Sequence, residues 1–287
     1  MAFDAPVLSR SEQISWCRER GLISSEKEEQ NLISFLQFVN FSTFLGYWAI
    51  YKGRTITADK VISDFVADQR LRRLTMEAVE RIEVAVRTVW SEHLLESRDP
   101  FIYCSPSCFK GTEYHKWFER VKSDLEHQKT KNQRLRHFYE EFRENDFPYP
   151  PLWLAVNSFT LGTLSYGVKA THDNAFKKNF AELLGFPRNV SFLEAYLRVL
   201  TNVRNVCAHH DKLWNNPVVG ASRIARDSRS TKQQTLYPFL FWSSVALRKI
   251  SPSTTWPTRL ATLCTTEFED WQLKRVMGFP NDWNGAF

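Results

Sequence analysis

The chain has 287 residues, 43% of them hydrophobic and 24% charged, which excludes a wholly disordered polypeptide. With only 10 Gly and 12 Pro, long helices are expected rather than many short strands joined by turns. Lys plus Arg number 38 against 32 Asp plus Glu, and this net charge of +6 permits a polyanionic partner without requiring one.

The first twenty residues hold no unbroken apolar run, so no secretory signal is expected. Arg10 to Arg20 reads as a short helix stopped by Gly21. Ser25 and Glu28 make a capping box for a second helix, striped by Leu32, Phe35, Leu36 and Val39. The most apolar stretch, Phe35 to Ile50, contains Gln37, Asn40, Ser42 and Thr43 and is too short and too polar to span a bilayer. The chain then turns around Gly53. The clearest helix is expected over about Asp68 to Glu96, where Leu71, Leu74, Ala78, Ile82, Ala85 and Val89 step by three and four. Its other faces carry Arg70, Arg73, Glu77, Glu80, Arg81 and Arg87. Glu83 and Arg87, four apart, can pair; spacing alone makes them a solvated bridge of little energetic weight.

Arg98 to Gly111 is a loop containing Pro100, Pro106, Cys104 and Cys108. A C-x3-C spacing with no second pair predicts no zinc site, and five scattered cysteines read as reduced thiols in a cytoplasm. A charged helical stretch follows, roughly Thr112 to Asn145. Within it Lys129, Lys131, Arg134 and Arg136 form an acid-free run, either a solvated helix face or a phosphate-contacting patch. Flanking Glu126, Glu140 and Glu141 weigh against the patch. The three prolines of FPYPPLW postpone the next helix to about Leu152, which continues through Val156, Phe159 and Leu164 with an interruption at Gly162. A helix over Ala175 to Leu184 stops at Gly185, with Pro187 beyond. Ser191 and Glu194 form a capping box for a helix striped by Leu193, Tyr196, Leu197, Leu200 and Val203, which runs into RNVCAHHDKLWNN. Ser222 to Lys232, with Arg223, Arg226 and Arg229, reads as a basic loop. Leu236 to Ile250 is an apolar helix, and short helices follow Trp256. No linker stands out, so one compact all-α domain over 1–287 is expected.

The segment Arg204 to Asp211 carries the chemistry. Imidazole moves protons near neutral pH, and guanidinium grips phosphate through two donors. Together they suit attack of an RNA 2′-hydroxyl on the adjacent phosphate, a route that needs no metal. Residues five apart on a helix differ by roughly 140° in direction. Arg204 and His209 therefore meet only through a long side chain, a distorted helix, or a second copy of the segment. Cys207, His210 and Asp211 lie near one face and are metal ligands on paper, but no other His or Cys cluster supplies a fourth. A plain hydrogen bond between His and Asp at the helix end accounts for the same residues.

Arg204, four residues and His209 resemble the R-x4-6-H signature of the HEPN superfamily of nucleotide-binding proteins. The longer string LTNVRNVCAHHDKLWN resembles the hallmark of the Abi-like abortive-infection family, which contains the D and F types of phage-resistance protein. RGL (Arg20 to Leu22), FLGY (Phe44 to Tyr47), DQRLRRLTMEAVERIEVAVRT (Asp68 to Thr88), PPLW (Pro150 to Trp153) and LGTLS (Leu161 to Ser165) match in the same order. The resemblance covers about Glu12 to Asn216. Asp211 stands where the family often has serine, as in HHSRLW. The resemblance implies an all-α HEPN-type bundle with additional N-terminal and C-terminal helices, 217–287 being a C-terminal helical extension. It implies Arg204 and His209 as the catalytic pair of a metal-independent endoribonuclease, supported by Asn205, His210, Glu83 and Arg87. Lys129, Lys131, Arg134, Arg136, Arg223, Arg226 and Arg229 would hold RNA. No cofactor, metal or membrane is expected. The expected setting is a cytoplasmic homodimer acting as a phage-defence effector or toxin, restrained by a protein or a noncoding RNA antitoxin. The alternative is a non-cleaving RNA-binding HEPN protein that captures a small regulatory RNA; a protein-binding scaffold is a third reading.

Overall fold

The computed structural model describes residues 7–51, 53–142, 147–268, 270–285 and 287, and of 227, 271 and 272 the backbone only. In chain order the helices are α1 (Arg10–Glu19), α2 (Glu26–Phe38), α3 (Phe41–Trp48), α4 (Ala58–Leu95), α5 (Gly111–Lys129), α6 (Gln133–Glu141) and α7 (Leu152–Ala155). They continue with α8 (Leu161–Ala170), α9 (Asn174–Leu183), α10 (Val190–Ala208), α11 (Ser222–Ala225), α12 (Tyr237–Ile250), α13 (Trp256–Thr266) and α14 (Trp271–Met277). No strand occurs among the described residues, only an isolated bridge between Phe109 and Thr171. The fold is all-α, as expected.

The 38-residue α4 is the axis on which α2, α3, α10, α12 and α13 pack. It begins ten residues before the expected Asp68, with the Thr57 hydroxyl capping the amide of Lys60. The early turns were hidden because charged side chains interrupt their apolar stripe: Asp64 and Asp68 are wholly buried beside Val61, Ala67 and Leu71. Farther on, full burial follows Thr75, Ala78, Ile82, Val86 and Trp90, while Ala85 and Val89 lie half-buried on the flank.

α8 lies between α5 and α10. Trp90 and Trp117 meet edge to face at 5.7 Å, and their indole N–H groups donate to Thr171 Oγ1 and to the Thr163 carbonyl, both at 3.0 Å. The C-terminal helices close the opposite side. The Trp256 indole donates to the Leu74 carbonyl (2.7 Å) and Arg81 to Thr254 Oγ1 (2.9 Å), so the segment after Asn216 is fixed to α4.

Several caps differ from expectation. The reciprocal box sits at Ser9 and Glu12. Ser25 does cap α2, but the Glu28 carboxylate turns to the amide of Ser24 (2.7 Å). Asn189, not Ser191, caps α10, and Glu194 instead bonds the buried Lys177. The expected Thr112 to Asn145 helix is two helices parted at Thr130 to Asn132, where the Asn132 side chain caps α6; 143–146 lie outside the described residues. The break expected at Gly162 falls at Phe159 and Thr160, where extended backbone lets the Thr160 hydroxyl cap α8, and Gly162 is inside that helix. Part of the basic loop is the single turn α11.

Candidate functional site

The buried stripe of α10 takes in Leu193, Tyr196, Leu197, Leu200 and Val203, as periodicity predicts. The helix ends at Ala208. His209 is its C-cap, and His210 follows in the left-handed region (φ +60°). The amide of His210 donates to the Cys207 carbonyl (3.2 Å) and that of Asp211 to Val206 (3.0 Å). This Schellman arrangement satisfies the last carbonyls and turns the chain sharply. Both imidazoles are exposed.

The turn is braced from beneath by the Asp68 carboxylate. It accepts from the amides of Leu213 (3.1 Å) and Trp214 (3.0 Å), from the Tyr47 hydroxyl (2.5 Å) and from the Arg72 guanidinium. Arg72 also donates to the Asp211 carbonyl (3.3 Å). Lys212 donates to the Gly46 carbonyl (2.7 Å) and lies over the Tyr47 and Trp214 rings. Burial pushes the Asp68 carboxyl above its usual range, against the pull of Tyr47, Arg72 and the two amides. Burial also lowers Lys212. Three separated strings, FLGY, DQRL and DKLW, thus converge on one buried carboxylate. Sequence reading missed Asp68, Arg72 and Tyr47 as positioning residues. The available signal was an acid and a base four apart on the apolar stripe itself.

Arg204 faces elsewhere. It closes a groove of about 710 Å³ whose other wall is α4, with Arg73, Glu80, Glu83 and Arg87 among the lining. Arg87 bonds Glu83 at 2.7 Å and the Phe159 carbonyl at 3.3 Å, and its buried Nε has no partner among the described residues. The expected IE-x3-R pair therefore does share a site with Arg204. Among the described residues, no side-chain hydrogen bond or ion pair engages Arg204, His209 or His210. His209 does not line the groove; its direction from the α10 axis is roughly 140° from that of Arg204. Asn205, half-buried, gives its carbonyl to the His209 amide (2.9 Å).

The basic candidates are dispersed. Lys129 lies over Tyr139, Lys131 contacts His127, and Arg136 approaches Glu140 at 3.8 Å. Arg134 borders a mostly apolar cleft near Trp153. Arg223 and Arg226 flank a cleft at the start of α10, whereas Arg229 pairs with Asp282. Burial raises the Cys207 thiol to about 12. Cys104 is raised by burial to about 11. No group of three His, Cys, Asp or Glu side chains is arranged around a common point among the described residues.

A family model described as Abi-like protein matches residues 34–215. The chain belongs to the Abi-like protein family. The match begins within α2 and ends just past Trp214, so it contains the Asp68 brace, both walls of the Arg204 groove and all of α10. The helices α12, α13 and α14 lie beyond it. Membership suggests a part in abortive infection, a form of phage defence. No curated relative and no solved structure matches the chain. Among the described residues, no helix is long and apolar enough to cross a membrane.

Proposed function

We propose that this Abi-like protein is a HEPN-type endoribonuclease acting as a phage-defence effector or toxin, with Arg204 and His209 as its catalytic pair. The carrying observation is an arginine with no partner among the described residues, held over a polar groove, five residues before an imidazole presented on a braced turn. Arg204 would neutralise charge building on the phosphoryl oxygens. His209 would take the proton of the 2′-hydroxyl as its oxygen bonds to phosphorus. The bond from phosphorus to the 5′-oxygen then breaks, that oxygen regains a proton, and a 2′,3′-cyclic phosphate remains. Glu83 and Arg87 orient the groove around Arg204.

The angle between Arg204 and His209 favours a composite site. In a homodimer with facing α10 segments, the arginine of one protomer meets the imidazole of the other. The RNA is the substrate; a protein or a noncoding RNA is the restraint.

The test sequences RNA ends in cells expressing wild type or His209→Ala. Cleavage ends vanish in the variant while its folding is unchanged. Undiminished cutting by folded, nuclease-free His209→Ala protein would refute the assignment. Co-expression of Arg204→Ala with His209→Ala restores activity if the site is composite, since one of the two sites in each mixed dimer is then intact. Wild type that binds RNA without creating ends would instead be a capture protein.

A further inference from the structure

A second polar cleft lies on the other side of α10 and is not part of the Arg204 groove. It has a volume of about 270 Å³ and is walled by Arg120 of α5, Tyr166 and Lys169 of α8, and Arg198 of α10. Arg120 and Lys169 both lie against the Tyr166 ring, at 4.9 and 5.0 Å from its centre. Tyr166 and Lys169 are tied in turn to Glu113, Lys169 at 3.1 Å. Arg198 is exposed and, among the described residues, has no ion pair or side-chain hydrogen bond. Arg120 is exposed too and lies over the tyrosine ring, with no ion pair or side-chain hydrogen bond among the described residues. The single acid of the cleft, Glu194, is engaged by the wholly buried Lys177 at 3.0 Å. Positive charge therefore prevails, and among the described residues neither guanidinium is paired with an anion.

The floor explains a motif that the Arg204 site does not use. In LGTLS, Leu161 and Leu164 are buried, while Gly162 and Ser165 line this cleft. Small residues there keep the space open between α8 and α10. Thr201 and Asn202 complete the α10 side.

Helix phase links the cleft to the imidazole. At 100° per residue, Arg198, Asn202, Asn205 and His209 fall within about 60° of one another, whereas Arg204 lies about 120° from Arg198. From Asn202 to His209 the rise is roughly 10 Å. One polar stripe thus runs from the cationic cleft to the exposed histidine, and α10 shows Arg204 on a different side.

We propose that the Arg120, Lys169 and Arg198 cleft holds a phosphodiester of a single-stranded RNA whose chain follows the α10 stripe to His209. This rests on the reading of the protein as an RNA-acting enzyme and adds where the strand is anchored. Guanidinium recognises phosphate through paired donors, and two arginines line this one cleft, which has room for a phosphodiester.

The test measures binding of a fully 2′-O-methylated RNA oligonucleotide by fluorescence anisotropy across a salt series. The probe cannot be cleaved, so the outcome does not depend on catalysis by His209. Arg120→Glu and Arg198→Glu each weaken binding about tenfold, and the double variant flattens the salt dependence by about 1.4 in log–log slope, as expected for two lost contacts on a single strand. Lys178→Glu, an equal charge change at an exposed position of α9, binds as wild type does. Loss of affinity in the arginine variants, with wild type cutting no RNA, would keep the anchor and remove the nuclease. Wild-type cleavage with arginine variants that bind like Lys178→Glu would overturn the anchor alone. Inorganic phosphate forms the second arm: if the arginine variants lose phosphate binding but keep RNA binding, the cleft serves a free anion and the RNA assignment is wrong. A wild-type protein that does not bind the probe overturns both readings.

Discussion

Replacing Asp68 with asparagine keeps the size of the side chain and removes its charge. The carboxylate is wholly buried and the Arg72 side chain is 6% exposed, so solvent hardly screens what remains. An asparagine carbonyl can still accept from the amides of Leu213 and Trp214, but the Arg72 guanidinium is left inside the protein without a counter-charge. Breaking a buried pair in this way costs about 3–5 kcal/mol. At about 2–4 °C per kcal/mol, the midpoint of thermal unfolding falls by roughly 10 °C. Arg72→Met leaves the opposite orphan and is expected to cost a similar amount. The double variant Asp68→Asn/Arg72→Met buries no unpaired charge and keeps an acceptor for both amides. Its loss should therefore be smaller than the sum of the single losses by about 2 kcal/mol or more. Urea unfolding followed by tryptophan fluorescence reads all four proteins, with Trp214 inside the perturbed region. If the single losses are each under about 1 kcal/mol, or add within about 0.5 kcal/mol, the brace is not an ion pair holding the turn and the reasoning fails.

Gly162→Ala and Gly167→Ala, on one helix, should have opposite effects. A methyl at Gly162 meets nothing closer than 3.8 Å, so helix propensity predicts a gain of about 0.5–1 kcal/mol; at Gly167 it would come within 2.9 Å of the Trp90 and Trp117 rings, costing about 1–3 kcal/mol. Calorimetry that shows both variants moving the same way would contradict the packing of α8. His210 holds φ +60°, so His210→Gly should raise stability by about 1 kcal/mol and His210→Val should lower it by at least as much, read from shifts in the urea midpoint. Equal midpoints would mean that the left-handed turn is absent in solution.

Periodicity made the helices legible wherever apolar residues alone form the buried face, as along α10 from Leu193 to Val203. It failed at the start of α4, because Asp64 and Asp68 occupy positions where a hydrocarbon is expected. Their burial is offset by partners far away in sequence, Tyr51 and Tyr47 among them, which no local pattern announces. Caps failed for a related reason. Ser25, Ser191 and Asn189 can each accept an amide, and the choice depends on where the preceding chain comes from. In the site, the grouping of Glu83 and Arg87 with Arg204 was expected from family resemblance and is present in the groove. The separation of His209 from that groove follows from helical phase alone. What phase does not say is which neighbour fills each side, and here α4 lies on one side and α8 on the other.

The same long helix meets the last turns of α10 and the turn beyond them in different ways. Arg204 faces the Arg73 to Arg87 stretch of α4, whereas Trp214, past the turn, donates its amide to Asp68. At Asp68 the contact is a buried carboxylate with four donors around it; at Arg204 it is an open groove with charges of both signs. The buried contact has no room for a substrate, and the open one contributes little packing. Substitutions along α4 therefore separate by position. Those at Asp68 and Arg72 act on His209 through the placement of the turn and lower stability with it. Those at the exposed Arg73 and Glu80 alter the field around Arg204 while the fold stands. A helix continuous through both regions keeps the turn and the groove in fixed register, which a composite site across two protomers requires of each.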